Sequence, residues 1–321
     1  MSTGKAKNGR RSGNHRRHEQ KDGGPLDPVL TPLTTSQAER LVRLSEEAVA
    51  QRGFAMRYDG AGTLVPVGSD GASVAGGATA GLGNLALTVA NLPRQQWRSA
   101  VEAHFDQMPS LHERPPLPDD LEKELYLRLV CADTIDPEMG KGTPEFMPGI
   151  LTVPATYMGR AVAMHFDIDS LGVSRAEATR LGLANLRSLR DEVDTVSFDG
   201  AEIALLSGSM FTASRALVFD TVLRESLQVE NPPFGCLVAM PARDQLYVHV
   251  IRDRTMLNAL HMLVTTAIDQ FNSRPGAVSP HVYYIADQQW HQVTDYSTGE
   301  FHLNAVSQLE AAAQHLIPEA A

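Results

Sequence analysis

Residues 193–206 read Val-Asp-Thr-Val-Ser-Phe-Asp-Gly-Ala-Glu-Ile-Ala-Leu-Leu. Two strand-forming runs flank Asp199-Gly200, a dipeptide that tolerates positive φ at both positions and so closes a two-residue hairpin matching the twist of its strands. Upstream, Ser174-Arg-Ala-Glu177 is a capping box, and Ala178, Leu181, Ala184 and Leu189 recur at helical spacing, which predicts a helix over 174–190. Downstream, residues 213–226 are helical in pattern, and 235–240 and 245–251 read as strands joined at Pro241-Ala-Arg-Asp244. A long apolar-striped helix over 254–271, strands at 282–286 and 290–294 and a last helix over 304–315 follow. Strands come as hairpins with helices between them, not in βαβ alternation, so the expected fold class is α+β with antiparallel sheets.

The first half is less sharply written. Ser36-Gln-Ala-Glu39 is a capping box that predicts a helix over 36–51, and short apolar runs at 54–58 and 63–67 flank a Gly-rich turn. Residues 68–83 read as loop, 84–91 as a short helix, and 94–108 as an amphipathic helix with Trp97, Val101 and Phe105 on one face. Strands are expected at 126–132 and 160–168, with a Gly- and Pro-rich passage over 136–154 between them. The expected organisation is a disordered basic arm over 1–30, an N-terminal α+β subdomain over 35–108, a Pro-rich connection over 109–125 and a main α+β domain over 126–318. The helix–hairpin–helix order of 36–108 is echoed at 174–226, the pattern a structural duplication would leave.

Charge separates the arm from the body. Lys5, Lys7, Arg10, Arg11, Arg16, Arg17 and Lys21 stand against Glu19 and Asp22, so residues 1–25 carry a surplus of five positive charges, and the whole-chain net charge of −10 leaves −15 for the rest. No Val, Ile, Leu, Phe, Trp or Tyr occurs in residues 2–25, too little apolar surface to offset ordering entropy. An acidic body repels nucleic acid at long range, which leaves any binding of nucleic acid or of an acidic surface to the arm or to a local patch hidden in the average. Cys131 and Cys236 are far apart, without a Cys-x-x-Cys, and read as buried thiols. No apolar run approaches the roughly 20 residues needed to span a bilayer, and no apolar stretch follows the positive N-terminus, so a cytoplasmic protein without a membrane span or secretory signal is expected.

Four groups of residues are candidates for chemistry. His165, Asp167 and Asp169 alternate along an expected strand and would share one face, where they would approach a metal ion or simply form a solvated face. Arg243 and Asp244, in the turn between two apolar strands, would bind an anion or pair with each other and the turn backbone. Arg252 and Arg254 would make a small anion site if they converge, or serve as solvated helix-terminal charges. Gly81-Leu-Gly83-Asn-Leu-Ala86 fits the letter of a dinucleotide fingerprint, but Gly- and Ala-rich residues precede it instead of a buried strand, so it reads as loop before a helix. The Gly-x-Ser-x-Gly, P-loop and His-Glu-x-x-His motifs are absent, and no cofactor or metal is assigned.

Ala184-Asn185-Leu186, the Asp199-Gly200 hairpin, residues 213–220 and Val238-Ala-Met-Pro-Ala-Arg-Asp-Gln-Leu246 together resemble the bacterial YtpQ-like family of unknown function, in order over 154–267 and more weakly over 37–108. The resemblance implies a bacterial cytoplasmic α+β protein and supplies no reaction, cofactor or catalytic residue. The basic arm and the Pro-rich connection depart from it. The expectation is a non-catalytic module that binds a protein partner or regulates one. The alternatives are an enzyme or ligand-binding protein with an anion or metal site near 165–169 and 241–244, and a nucleic-acid-associated protein acting through the arm.

Overall fold

A computed structural model describes residues 24–68, 79–106, 117, 120–158, 161–298 and 300–316. The basic residues of the arm, the stretch 69–78 and most of the Pro-rich connection lie outside these. Among the described residues no helix is long and apolar enough to cross a membrane.

Helix α1 (Thr35–Gln51) has its N-cap two residues before the expected one, at Thr34, with Gln37 Oε1 accepting the Thr34 N–H at 2.8 Å. Strands β1 (Met56–Tyr58), β2 (Thr63–Pro66) and β3 (Ala80–Gly81) form a small antiparallel sheet, so the expected loop at 68–83 contains a short strand. Helix α2 (Gly83–Ala90) follows directly, and α3 (Trp97–Asp106) lies against α1. Ala38, Leu41, Leu44, Ala48 and Val49 of α1 share a core with Leu64, Leu85, Val89, Val101 and Phe105, centred on Trp97. The buried indole is satisfied by donating to the Leu92 carbonyl at 3.2 Å. Residues 24–30, expected within the disordered arm, are part of this unit: Asp27 Oδ1 accepts the N–H groups of Val29 and Leu30, and Leu30 is 1% exposed.

A single-turn helix α4 (Leu121–Glu124) leads into strand β4 (Leu125–Cys131). After another turn of helix, α5 (Pro137–Gly140), the Gly- and Pro-rich passage, for which no strand was expected, supplies β5 (Glu145–Met147) and most of the nine-residue β6 (Ile150–Met158), which pairs along the whole of β4. Pro154 concealed this strand. Its carbonyl accepts from the His165 N–H on the outer side of β6, so its missing N–H faces the same side, just beyond β7 (Ala161–Met164), and no bond of the β4 ladder is lost.

Helix α6 (Arg175–Ser188) opens at the expected box, with Ser174 Oγ accepting the Glu177 N–H at 3.2 Å. It covers the free edge of β4: Asn185 Nδ2 donates to the Leu125 carbonyl at 2.7 Å and Gly182 lies against Leu127. Strands β8 (Glu192–Phe198) and β9 (Ala201–Ser207) form the expected hairpin, with φ of 45° at Asp199 and 82° at Gly200. The 213–226 stretch is not one regular helix. It runs as a 3-10 segment (Ala213–Val218), a turn of α-helix, α7 (Phe219–Thr221), and a π-helical segment (Val222–Ser226).

Strands β10 (Cys236–Ala239), β11 (Leu246–Val250), β12 (Val282–Ala286) and β13 (Gln289–Gln292) complete a six-stranded, wholly antiparallel sheet in the order β13-β12-β10-β11-β9-β8. Its two faces are read in alternation. Leu237, Ala239, Tyr247, Val282 and Tyr284 meet α8 (Met256–Ser273). Cys236, Val238, Met240, Leu246 and Val248 meet Leu129, Ile150 and the 213–222 segment. A central strand covered on both sides is apolar throughout, which is why 236–240 reads as an unbroken hydrophobic run. The short pair β14 (Thr294–Asp295) and β15 (His302–Leu303) and helix α9 (Ser307–Leu316), whose Leu309 packs with α8, end the described chain. The fold is thus α+β with antiparallel sheets. Cys131 and Cys236 are free, buried thiols.

Candidate functional site

The turn between β10 and β11 is pinned by the segment that leaves α8. Ala242 bridges Ala277, the Arg243 N–H donates to the Gly276 carbonyl at 2.8 Å, and the Val278 N–H donates to the Pro241 carbonyl at 2.9 Å. Gly276, at φ 79°, lies directly under Arg243: a Cβ there would stand 2.5 Å from Arg243 Cδ. The Gly276 N–H is in turn accepted by Asn84 Oδ1 at 2.8 Å, from the first turn of α2. The turn is therefore where the N-terminal unit touches the six-stranded body.

Three arginines gather here. Asp244 Oδ2 accepts from Arg274 Nη2 at 2.6 Å, which accounts for one of them. Arg243 has no carboxylate within ion-pair distance, and its backbone carbonyl accepts from the Ala213 N–H at 3.1 Å. Arg128, on β4 opposite Val153, is 8% exposed, and its guanidinium makes no hydrogen bond or ion pair with any described residue. Burial, and then the charge of Arg243, lower the Arg128 pKa to about 10. His104 of α3 is held below the ordinary imidazole range by burial and by the same Arg243, and its Nε2 is buried without a partner. Arg274 Nε, Asp244 Oδ1 and Gln245 Oε1 are also buried and unpartnered.

Of the three arginines, Arg128 alone is buried, and a buried charge costs stability unless an opposite charge and hydrogen bonds complete it, whereas Arg243 and Arg274 are half-buried and reach solvent. Arg243 and Asp244 were legible in the sequence as a charged turn, but the two do not pair with each other: Asp244 pairs with Arg274, thirty residues on. Arg128 was missed, since a lone arginine in the strand Leu-Tyr-Leu-Arg-Leu-Val-Cys looks like an edge residue facing solvent. The useful signal was the reverse one, a charge in a strand apolar on both faces.

The other candidates stand apart. Strand β7 ends at Met164, so His165, Asp167 and Asp169 do not alternate along one strand face as expected. His165 Nε2 bonds Thr156 Oγ1 at 2.8 Å, while exposed Asp167 caps the 3-10 turn Ile168–Leu171 by accepting the Asp169 N–H. Among the described residues no group of three or more His, Cys, Asp or Glu could hold a metal ion. Arg252 and Arg254 are exposed ahead of α8, and Asp253 between them caps the Thr255 N–H. Lys5, Lys7, Arg10, Arg11, Arg16, Arg17 and Lys21 lie outside the described residues.

No family model, no curated protein and no solved structure matches the chain.

Proposed function

We propose that the protein is a non-catalytic, ligand-binding regulatory module that takes up a phosphate-type dianion between Arg128 and Arg243, where its N-terminal unit meets its six-stranded body. One observation carries the reading: Arg128 is 8% exposed as a residue, its Nε is enclosed without a partner, and it stands within the field of a second arginine that has no ion-pair partner among the described residues. Asp244, which pairs with Arg274 and also supports the charge of Arg243, is one carboxylate beside three arginines, so two positive charges remain in excess. A phosphate group carries close to two negative charges at neutral pH and matches guanidinium geometry with paired hydrogen bonds. Occupancy of a site flanked by His104 and Asn84 would tie the two units together, which is the regulatory element. The YtpQ-like resemblance implies the bacterial cytoplasm as the place where the protein acts.

The test uses inorganic phosphate, calorimetry and thermal unfolding. Phosphate is expected to raise the melting temperature of the intact chain in proportion to the logarithm of its concentration. The Arg128→Met variant is expected to melt higher than the unmodified protein without phosphate and to show no phosphate shift. A residue retained for binding destabilises the empty fold, whereas a structural residue supports it. An Arg128→Met protein that melts lower, together with an unmodified protein indifferent to phosphate, would overturn the reading.

A further inference from the structure

We infer that the ligand extends from the arginine pair into the neighbouring cleft through hydroxyl or amino groups, so that it is a small phosphate ester bearing hydrogen-bond donors. The inference rests on the anion reading of Arg128 and Arg243. Its own evidence is a separate cleft of about 460 Å3, lined by Leu205, Ser207, Ser209, Asp244, Gln245 and Arg274. That volume suits a small molecule. Gln245 is 6% exposed, yet its Oε1 is buried without a hydrogen-bond partner. Asp244 spends Oδ2 on Arg274 and leaves Oδ1 buried and free, and Arg274 leaves Nε free. Asp244, which lines the cleft, follows Arg243 directly in the chain, so the cleft begins at the residue next to the arginine.

The chemistry of the cleft differs from that of the arginine pair. The carboxylate oxygen of Asp244 accepts only, and a second anion beside it would be repelled. A donor-bearing tail satisfies it, and the Gln245 amide takes either a donor or an acceptor. An aliphatic tail would bury these groups without partners, the more costly outcome. A hydroxyl and an ammonium group answer the same requirement.

Calorimetry on the full chain with four probes, inorganic phosphate, ethyl phosphate, glycerol phosphate and phosphoethanolamine, separates the possibilities. At least one of the last two is expected to bind ten times more tightly than ethyl phosphate, which has the same anion and no donor on its tail. Preference for glycerol phosphate identifies hydroxyls as the tail chemistry, and preference for phosphoethanolamine identifies an amine. The ratio between the preferred probe and ethyl phosphate is expected to collapse toward one in Gln245→Leu. Equal affinity of the unmodified chain for ethyl phosphate and both donor-bearing esters overturns the inference and leaves the anion reading standing, and this comparison does not depend on any variant folding. Failure of all four probes to bind overturns both.

Discussion

Gly276 lies under Arg243 with space for a hydrogen and nothing more, since a Cβ on Gly276 would meet Arg243 Cδ at 2.5 Å, Cγ at 2.9 Å and Nε at 3.1 Å. The glycine also holds a left-handed conformation, φ 79°, and passes its N–H to Asn84. Gly276→Ala is therefore expected to act twice. The backbone strain destabilises the fold by about 1–2 kcal/mol. The flexible arginine gives way to the new methyl group, so phosphate affinity falls by tenfold or more. Urea unfolding measures the first effect and calorimetry the second. A variant that loses stability and keeps full affinity would separate Gly276 from the site.

Arg215 and Asp191 form an ion pair in which both side chains are fully buried. Arg215 Nη1 also donates to Ser226 Oγ at 3.0 Å, and Thr212 Oγ1 donates to Asp191 Oδ1 at 3.2 Å. Burial raises the Asp191 pKa, and the guanidinium opposes that rise. Arg215→Met, which strands the carboxylate, is expected to cost about 3–5 kcal/mol in urea unfolding. The double variant Arg215→Met, Asp191→Leu is expected to recover most of the loss, because an apolar pair of similar volume leaves no unpaired charge. A double variant as unstable as the single one would show that the pair carries more than its own neutralisation.

Gly182, in the middle of α6, is costly to a helix by about 1 kcal/mol relative to alanine. A Cβ there would stand 2.7 Å from Leu127 Cγ, 2.8 Å from the Leu127 amide nitrogen and 2.9 Å from the Tyr126 carbonyl carbon. Two of the three are backbone atoms of β4 and cannot turn aside, so overpacking of about 1–3 kcal/mol outweighs the gain in propensity. Gly182→Ala is expected to lower the melting temperature, and a rise would show that α6 can lift off the strand.

His104, His165, His249 and His281 are all held below the ordinary imidazole value, in each case chiefly by burial. The unfolded chain takes up protons near pH 6.5 while these folded imidazoles stay neutral. Their contribution is thus fully present above pH 6.5 and is lost as pH falls below it. Melting temperature measured from pH 8 to pH 5.5 is expected to be level at first and then to decline. A curve that climbs on acidification would contradict the buried, neutral state of the four rings.

Local patterns in the chain were enough for the hairpin at Asp199-Gly200, the box at Ser174 and the apolar runs of β10 and β11, because turn chemistry, capping and short apolar runs act within a few residues. They sufficed for the α+β class as well. They misled at Pro154, where a proline is harmless only because its neighbouring strand ends beside it, and at 213–226, where a helical pattern becomes 3-10 and π-helical around the buried Arg215. The same limit governs the site. Arg243 and Asp244 announced themselves as a charged turn, but a turn does not state which of its charges has a partner. That was settled by chain segments far apart in sequence: Arg274 came to Asp244, Gly276 opened space for Arg243, and β4 carried Arg128 into the interior. Charge compensation is a property of the folded neighbourhood, so the sequence by itself determined the fold class and the elements whose signals are local, and only the tertiary structure decided which arginines were left without a carboxylate partner.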